Sequence, residues 1–227
     1  MPVFLLSDDI AFPPPHLATK EGLLAVGGDL TQKRLLLAYQ MGIFPWFSNN
    51  EPIMWWSPDP RLVLFPEEIR ISRTLKKTIK KKMFHVTMDS AFVQVINLCA
   101  RVRLQNNQDT WIVEEMIDAY CKLYELGFAH SVEAWYQGEL AGGLYGVSLG
   151  GSFFGESMFT LVSNASNVAL VRLVEYLKSR SFDLIDCQIA TQHLIRFGAK
   201  EIPRDRFLET LHHSLKKPTL RGRWQLP

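Results

Sequence analysis

The apolar positions divide the chain into two unlike halves. In the second half, Ser131 to Tyr136, Leu140 to Leu149 and Ser152 to Thr160 read as three successive strands. The turns Gln137-Gly138-Glu139 and Gly150-Gly151 separate them. Val168, Leu170, Val171, Val174 and Leu177 then recur at helical periods and predict a helix over Asn164 to Arg180. Phe182 to Ile189 reads as a buried strand, and Asp205 to Leu215 as a last helix. In the first half, Gly and Pro cut residues 1–62 into short apolar pieces, so this part is predicted to be loop-rich. One helix stands out there: Asp29-Leu30-Thr31 opens it, Lys33 to Met41 carries the helical spacing, and Gly42 lies where a helix-ending glycine belongs. Three more helices are predicted beyond it. One starts near Ser72; another runs from Asp89 to Ala100 with Phe92, Val95, Ile96 and Cys99 on one side; a third runs from Ile112 to Leu126 and ends at Gly127. Hairpin strands followed by helix, strand and helix define an α+β fold with helices packed on a sheet. The change of character predicts a small N-terminal domain over residues 1–62 and a larger sheet-and-helix domain over residues 63–227.

Composition changes this picture little. Of 227 residues, 47% are apolar and 21% charged, the balance of a globular protein with a real core. The net charge of +2 does not announce a nucleic-acid binder, so any such role must come from local clustering. Three scattered cysteines without CxxC spacing argue against a disulfide framework and a zinc site, and the six histidines form no HExxH or HxH pattern. No metal and no cofactor are expected. No signal peptide is recognisable, and no apolar stretch approaches the roughly 20 residues that span a bilayer. The expected compartment is the cytoplasm, with no membrane partner.

Three features carry possible chemistry. Leu184-Ile185-Asp186-Cys187-Gln188 puts a carboxylate inside an apolar run, and strand alternation predicts Asp186 and Gln188 on one face. Glu156 likewise sits among Phe153, Phe154, Met158 and Phe159; alternation places it with Met158, opposite Phe153 and Phe159. Each carboxylate reads either as a functional group or as a structural one, capping a helix or paired with an arginine. Arg73, Lys77, Lys80 and Lys81 share one face of the helix starting near Ser72, which reads as a solvated face or a phosphate-binding one. Trp46, Trp55, Trp56 and Trp111 are core residues or stacking surfaces for a nucleobase. The order of strands and helices would suit a coenzyme-A-dependent N-acetyltransferase, but the pyrophosphate-binding glycine loop is missing before the helix at 164–180. Such a sheet then needs another acyl donor.

In order along the chain stand Gly22-Leu23-Leu24-Ala25-Val26-Gly27-Gly28-Asp29-Leu30, Gly42-Ile43-Phe44-Pro45-Trp46-Phe47, Trp55-Trp56-Ser57-Pro58-Asp59-Pro60-Arg61, Thr110-Trp111-Ile112, Ala129-His130-Ser131-Val132-Glu133, Gly155-Glu156-Ser157-Met158-Phe159, Leu184-Ile185-Asp186-Cys187-Gln188 and Glu201-Ile202-Pro203-Arg204. On these blocks the chain closely resembles the leucyl/phenylalanyl-tRNA–protein transferases of bacteria, from about residue 12 to 210. The resemblance implies a small N-terminal domain joined to an N-acetyltransferase-like (GNAT-like) one. It implies transfer of Leu or Phe, sometimes Met, from aminoacyl-tRNA to proteins beginning with Lys or Arg, marking them for N-end-rule degradation. Because the aminoacyl ester is already activated, neither nucleotide nor metal is required.

Matched motif by motif, the resemblance implies that Trp46 and Trp111 hold the tRNA's terminal adenosine. Phe153, Met158, Leu170 and Ile185, with Leu144, Leu173 and Leu177, would line the pocket for the donor side chain. Arg73, Lys77, Lys80 and Lys81 would meet the acceptor stem. Asp186, Gln188 and Glu156 would form the polar centre where amine meets ester: Asp186 accepting a hydrogen bond from the amine, Gln188 orienting it, and Glu156 selecting a cationic first residue. Leu161 and Asn167 stand where the family usually carries basic residues. Three rival readings are a longer cell-wall peptide transferase, which would show a duplicated sheet domain, a non-catalytic tRNA-binding module, which would need neither Asp186 nor Gln188, and a coenzyme-A-dependent acetyltransferase.

Overall fold

The structure, a computed structural model, describes residues 3–105 and 112–226. The N-terminal part holds β1 (Phe4–Leu6), β2 (Leu23–Gly27), α1 (Gln32–Gln40), β3 (Phe44–Pro45) and β4 (Met54–Trp56). Its four strands form one sheet in the order β1-β2-β4-β3, in a part predicted to be loop-rich with short apolar pieces. Two- and three-residue strands are too short to show alternation, so their pairing is settled by neighbours rather than by local pattern. The α1 helix starts as expected: the Thr31 hydroxyl accepts the Arg34 backbone N–H at 3.4 Å. It ends against Gly42 at φ 70°, where a Cβ would lie 2.6 Å from Leu208.

The rest of the chain forms β5 (Arg61–Leu64), α2 (Arg73–Lys80), β6 (His85–Met88), α3 (Phe92–Gln105), α4 (Glu114–Glu125), β7 (Ala129–Tyr136), β8 (Glu139–Leu149), β9 (Ser152–Thr160), α5 (Ala165–Ser179), β10 (Leu184–Gln188), α6 (Gln192–Arg196), β11 (Lys200–Ile202) and α7 (Arg204–Ser214). Seven of these strands make one sheet in the order β11-β5-β10-β9-β8-β7-β6, and the fold is α+β as expected. The expected boundary at residue 62 lies inside β5, whose Arg61 already pairs with Ile202 of β11.

Alternate residues of the large sheet feed two apolar clusters, one on each face. Val63, Tyr145, Val147, Phe154 and Phe159 pack with α3, α4 and the N-terminal residues Leu24, Leu35, Tyr39, Phe44 and Trp55. Leu62, Leu64, Leu144, Phe153 and Ile185 pack with Leu170, Leu173, Val174 and Leu177 of α5. The N-terminal sheet therefore shares its core with one face of the large one.

Two irregularities break the predicted alternation. In β9 the register against β8 shifts between Gly155 and Ser157, leaving Glu156 as the extra residue. Phe153 and Met158 consequently share the α5 face, and Phe154 and Phe159 the other, which corrects the predicted placement of Phe153 opposite Met158. Gly146 stands opposite this bulge, where a Cβ would lie 2.2 Å from the Phe154 carbonyl oxygen. In β10 the register against β5 shifts between Asp186 and Gln188, and Gln188 adopts φ 61°. Asp186 and Gln188 thus do not face the same way. Bulges of this kind re-aim single side chains next to functional sites.

Candidate active site

Strands β9 and β10 pair in parallel only from Ser152 and Leu184 to Phe154 and Asp186, although β9 runs on to Thr160. Where they part, a cavity of about 490 Å³ opens between the split and α5. Leu144, Phe153, Met158, Leu170, Leu173 and Ile185 all line it, as the resemblance implies. Leu177 does not: it is fully buried further along α5, inside the α5-face core. Trp46 stands at the mouth, 40% exposed, its ring 5.7 Å from that of Trp56. The Trp56 indole N–H donates to the Trp46 carbonyl at 2.7 Å and fixes the loop that carries it. Trp111 lies outside the described residues. Arg73, Lys77, Lys80 and Lys81 are exposed on α2, whose Leu75 is buried and which packs on α5; they stay on the surface, away from the cavity lining.

Glu156 is the carboxylate of the cavity wall, 7% exposed. Tyr39 of α1 donates its hydroxyl to Oε1 at 2.8 Å, and Tyr120 of α4 donates to Oε2 at 2.8 Å. The Gln188 amide Nε2 donates to Oε1 at 3.2 Å. The two phenol hydroxyls also touch each other. Burial pushes the Glu156 carboxyl up to about 7 against the pull of these three donors, with the nearby Asp186 charge adding to the rise. Burial and the Glu156 charge together hold both phenols well above their ordinary range, so they remain donors. Neither tyrosine carried a signal in the sequence: each sits at an ordinary core position of its helix.

Asp186 is completely buried and does not line the cavity. Arg61 grips it in a two-pronged ion pair, Nε to Oδ1 at 2.8 Å and Nη2 to Oδ2 at 2.7 Å. The guanidinium is held between the rings of Phe44 and Phe207, each 4.7 Å away. Asp186 Oδ1 also accepts the backbone N–H of Gln188 at 2.9 Å. Fully buried behind Arg61 and off the cavity lining, Asp186 is not placed for the expected direct contact with a substrate amine. What Asp186 does is hold the left-handed backbone of Gln188, whose side chain enters the cavity. Arg61 was part of a quoted motif, but its partner lies 125 residues away, beyond any local pattern.

The arrangement is an apolar pocket whose one carboxylate among the described lining residues is poised near neutrality and tied to an amide: a setting for moving a proton during transfer to a nucleophile. Among the described residues, no group of three or more His, Cys, Asp or Glu side chains could hold a metal ion, and no helix is long and apolar enough to cross a membrane. Residues 63–212 match the family described as leucyl/phenylalanyl-tRNA protein transferase, and residues 28–59 match the N-terminal domain of that family. A leucyl/phenylalanyl-tRNA–protein transferase of Desulforapulum autotrophicum is 58% identical over 224 residues, covering 99% of this chain and 98% of the relative. Relatives of the same name from Desulfatibacillum aliphaticivorans and Anaeromyxobacter sp. (strain K) are 59% and 57% identical, each over 226 residues, 100% of this chain and 97% of the relative. The chain belongs to this family, and it is a transferase enzyme.

Proposed function

We propose that this protein takes leucine or phenylalanine, with methionine as a third donor, from aminoacyl-tRNA and joins it to the N-terminal amine of proteins that begin with Lys or Arg. Its products would enter N-end-rule degradation, in the cytoplasm. The single observation that carries this reading is the apolar cavity ending at the Glu156–Gln188 pair. An apolar donor side chain without a branch at Cβ, as in Leu, Phe and Met, would fill the space between β9 and α5, with its ester carbonyl at the polar end. Trp46 at the mouth would stack the terminal adenosine, a role the resemblance also implies for Trp111, and Arg73, Lys77, Lys80 and Lys81 would meet phosphates further along the acceptor stem.

The chemistry follows from the titration of the groups. An α-amine of ordinary pKa near 8 must be neutral to attack, and it becomes acidic as the carbon–nitrogen bond forms. A carboxyl poised at about 7 is matched to receive that proton. Gln188 is no base, but with its Nε2 committed to Glu156 its amide oxygen is left to orient the amine. The 3′-oxygen of the ribose leaves and regains a proton through water or the neighbouring hydroxyl. Asp186 would act through Gln188 rather than on the amine. Glu156, on the cavity wall and raised to about 7, suits the amine proton better than the long cationic side chain it was expected to select.

The test mixes labelled Leu-, Phe- and Met-tRNA with model proteins that begin with Arg, Lys or Asp. Label is expected on the Arg and Lys proteins from the Leu and Phe donors, with less from Met. Transfer to all three acceptors alike would remove the acceptor rule, and no transfer from any donor would overturn the reading.

A further inference from the structure

Residues 215–226, beyond α7, form no helix or strand, yet they carry one of the largest buried side chains among the described residues. Trp224 is 2% exposed. Its backbone N–H donates to Asp89 Oδ2 at 2.6 Å, and its indole N–H to the Leu220 carbonyl at 3.1 Å. The ring stacks on His130, centroids 3.7 Å apart and planes 9° apart; His130 Nδ1 in turn meets Asp89 Oδ2 at 2.8 Å. On its other sides Trp224 meets Tyr176 at 5.0 Å, Phe182 at 5.9 Å and Phe153 at 6.0 Å.

One of those neighbours belongs to the wall of the cavity, and a second lies on a helix that contributes to it. Phe153 lines it from β9, and Tyr176 lies on α5, the helix that supplies Leu170 and Leu173. Trp224 therefore packs against one residue of the cavity wall and against the helix that supplies two more. Interiors are close-packed, so removing a large ring leaves neighbours either to relax into the space or to border a void. Phe153 is the neighbour whose far side faces the cavity.

We infer that Trp224 is a positioning residue that sets the depth of the apolar cavity from behind Phe153, and that the C-terminal strap thereby helps decide which donor side chain fits. The inference rests on the donor-pocket reading given above. A shrunken residue at 224 lets Phe153 recede, which deepens the cavity for an aromatic donor and loosens its grip on leucine. One methylene's worth of fit in an apolar pocket already changes discrimination by about tenfold or more. None of the contacts that hold the strap, to Asp89 and His130, involves Glu156 or Gln188, so the polar centre keeps its hydrogen bonds.

The experiment measures kcat/KM for Phe-, Leu- and Met-tRNA with the full-length protein, its Trp224→Leu and Trp224→Phe variants, and Leu170→Ala, alongside melting temperatures. The Trp224→Leu variant is expected to raise the Phe-to-Leu ratio about 3- to 10-fold, mainly through KM for leucine. Trp224→Phe, which keeps an aromatic stack on His130, is expected to fall between it and the native protein, and it carries the test if the leucine variant does not fold. Equal losses for all donors, tracking melting temperature alone, would make Trp224 mere packing and overturn the inference. Leu170→Ala separates the two levels. If it shifts the donor ratio and the Trp224 variants do not, this inference fails alone; if it too leaves the ratio unchanged, the donor-pocket reading has failed.

Discussion

Glu156 is a carboxyl group almost out of reach of water, and its proton has consequences for stability as well as for transfer. Its pKa is about 7 in the folded protein against an ordinary 4.5. Between those values the folded state holds a proton that the unfolded chain has released, so this group's contribution to stability falls as pH rises through about 7. The loss by pH 8 is on the order of 3 kcal/mol. In urea unfolding, the native protein should therefore lose stability from pH 5 to pH 8 relative to Glu156→Gln, which cannot ionise. A constant gap between the two would mean the carboxyl titrates in its ordinary range. The same substitution should abolish most transfer while leaving tRNA binding intact. Asp186 calls for a different expectation. Asp186→Asn strips the countercharge from a guanidinium that is itself buried, and should cost about 3–5 kcal/mol of stability. Replacing the pair together, Arg61→Met with Asp186→Leu, should recover most of that loss without recovering activity, because the Gln188 N–H has lost its acceptor. Recovery of both would show that the pair serves folding only.

At the scale of elements, α2 offers the cleanest separation of surface from site. Its basic residues are exposed and none touches the cavity. Replacing Lys77 and Lys80 with Ala should reduce the slope of log affinity for tRNA against log salt by roughly 1.5 to 2. It should raise KM while leaving kcat near native; an unchanged slope would make α2 an ordinary solvated helix. The same scale shows what the amino-acid pattern could and could not reveal. Long elements with sustained periodicity, α5 and the hairpin strands β7 to β9, were legible because each residue's burial repeats the same message. The apolar lining was legible for the same reason, since Leu170 and Leu173 lie on the buried face of α5. Strands β1, β3 and β11 were not, being too short to alternate. Nor were the faces of Glu156 and Gln188: a single bulge reverses every assignment beyond it, and nothing in the local sequence of either strand marks the extra residue. Tyr39, Tyr120 and Arg61 owe their roles to partners far along the chain, which no window of sequence contains.

For the whole molecule, the shared core makes a prediction of its own. Leu24, Tyr39, Phe44 and Trp55 from the N-terminal sheet and α1 join the cluster built by α3, α4 and the large sheet. Separate melting of the N-terminal part would tear that cluster and strand the ion pair beneath Phe44. Far-UV circular dichroism and tryptophan fluorescence, which samples Trp55 and Trp224 in different parts of the fold, should therefore report one coincident unfolding transition. Two separated midpoints would show independent units. The carboxylate at the centre extends this interdependence to function. Tyr39, Tyr120 and Gln188 stand 117, 36 and 32 residues away from Glu156. A chain cut anywhere between Tyr39 and Gln188, once its pieces drift apart, keeps every chemical group and loses the tool they make. If that cluster is the reaction centre proposed above, a cut within this stretch leaves no active remnant, and a growing chain is not competent until Gln188 has joined the other three.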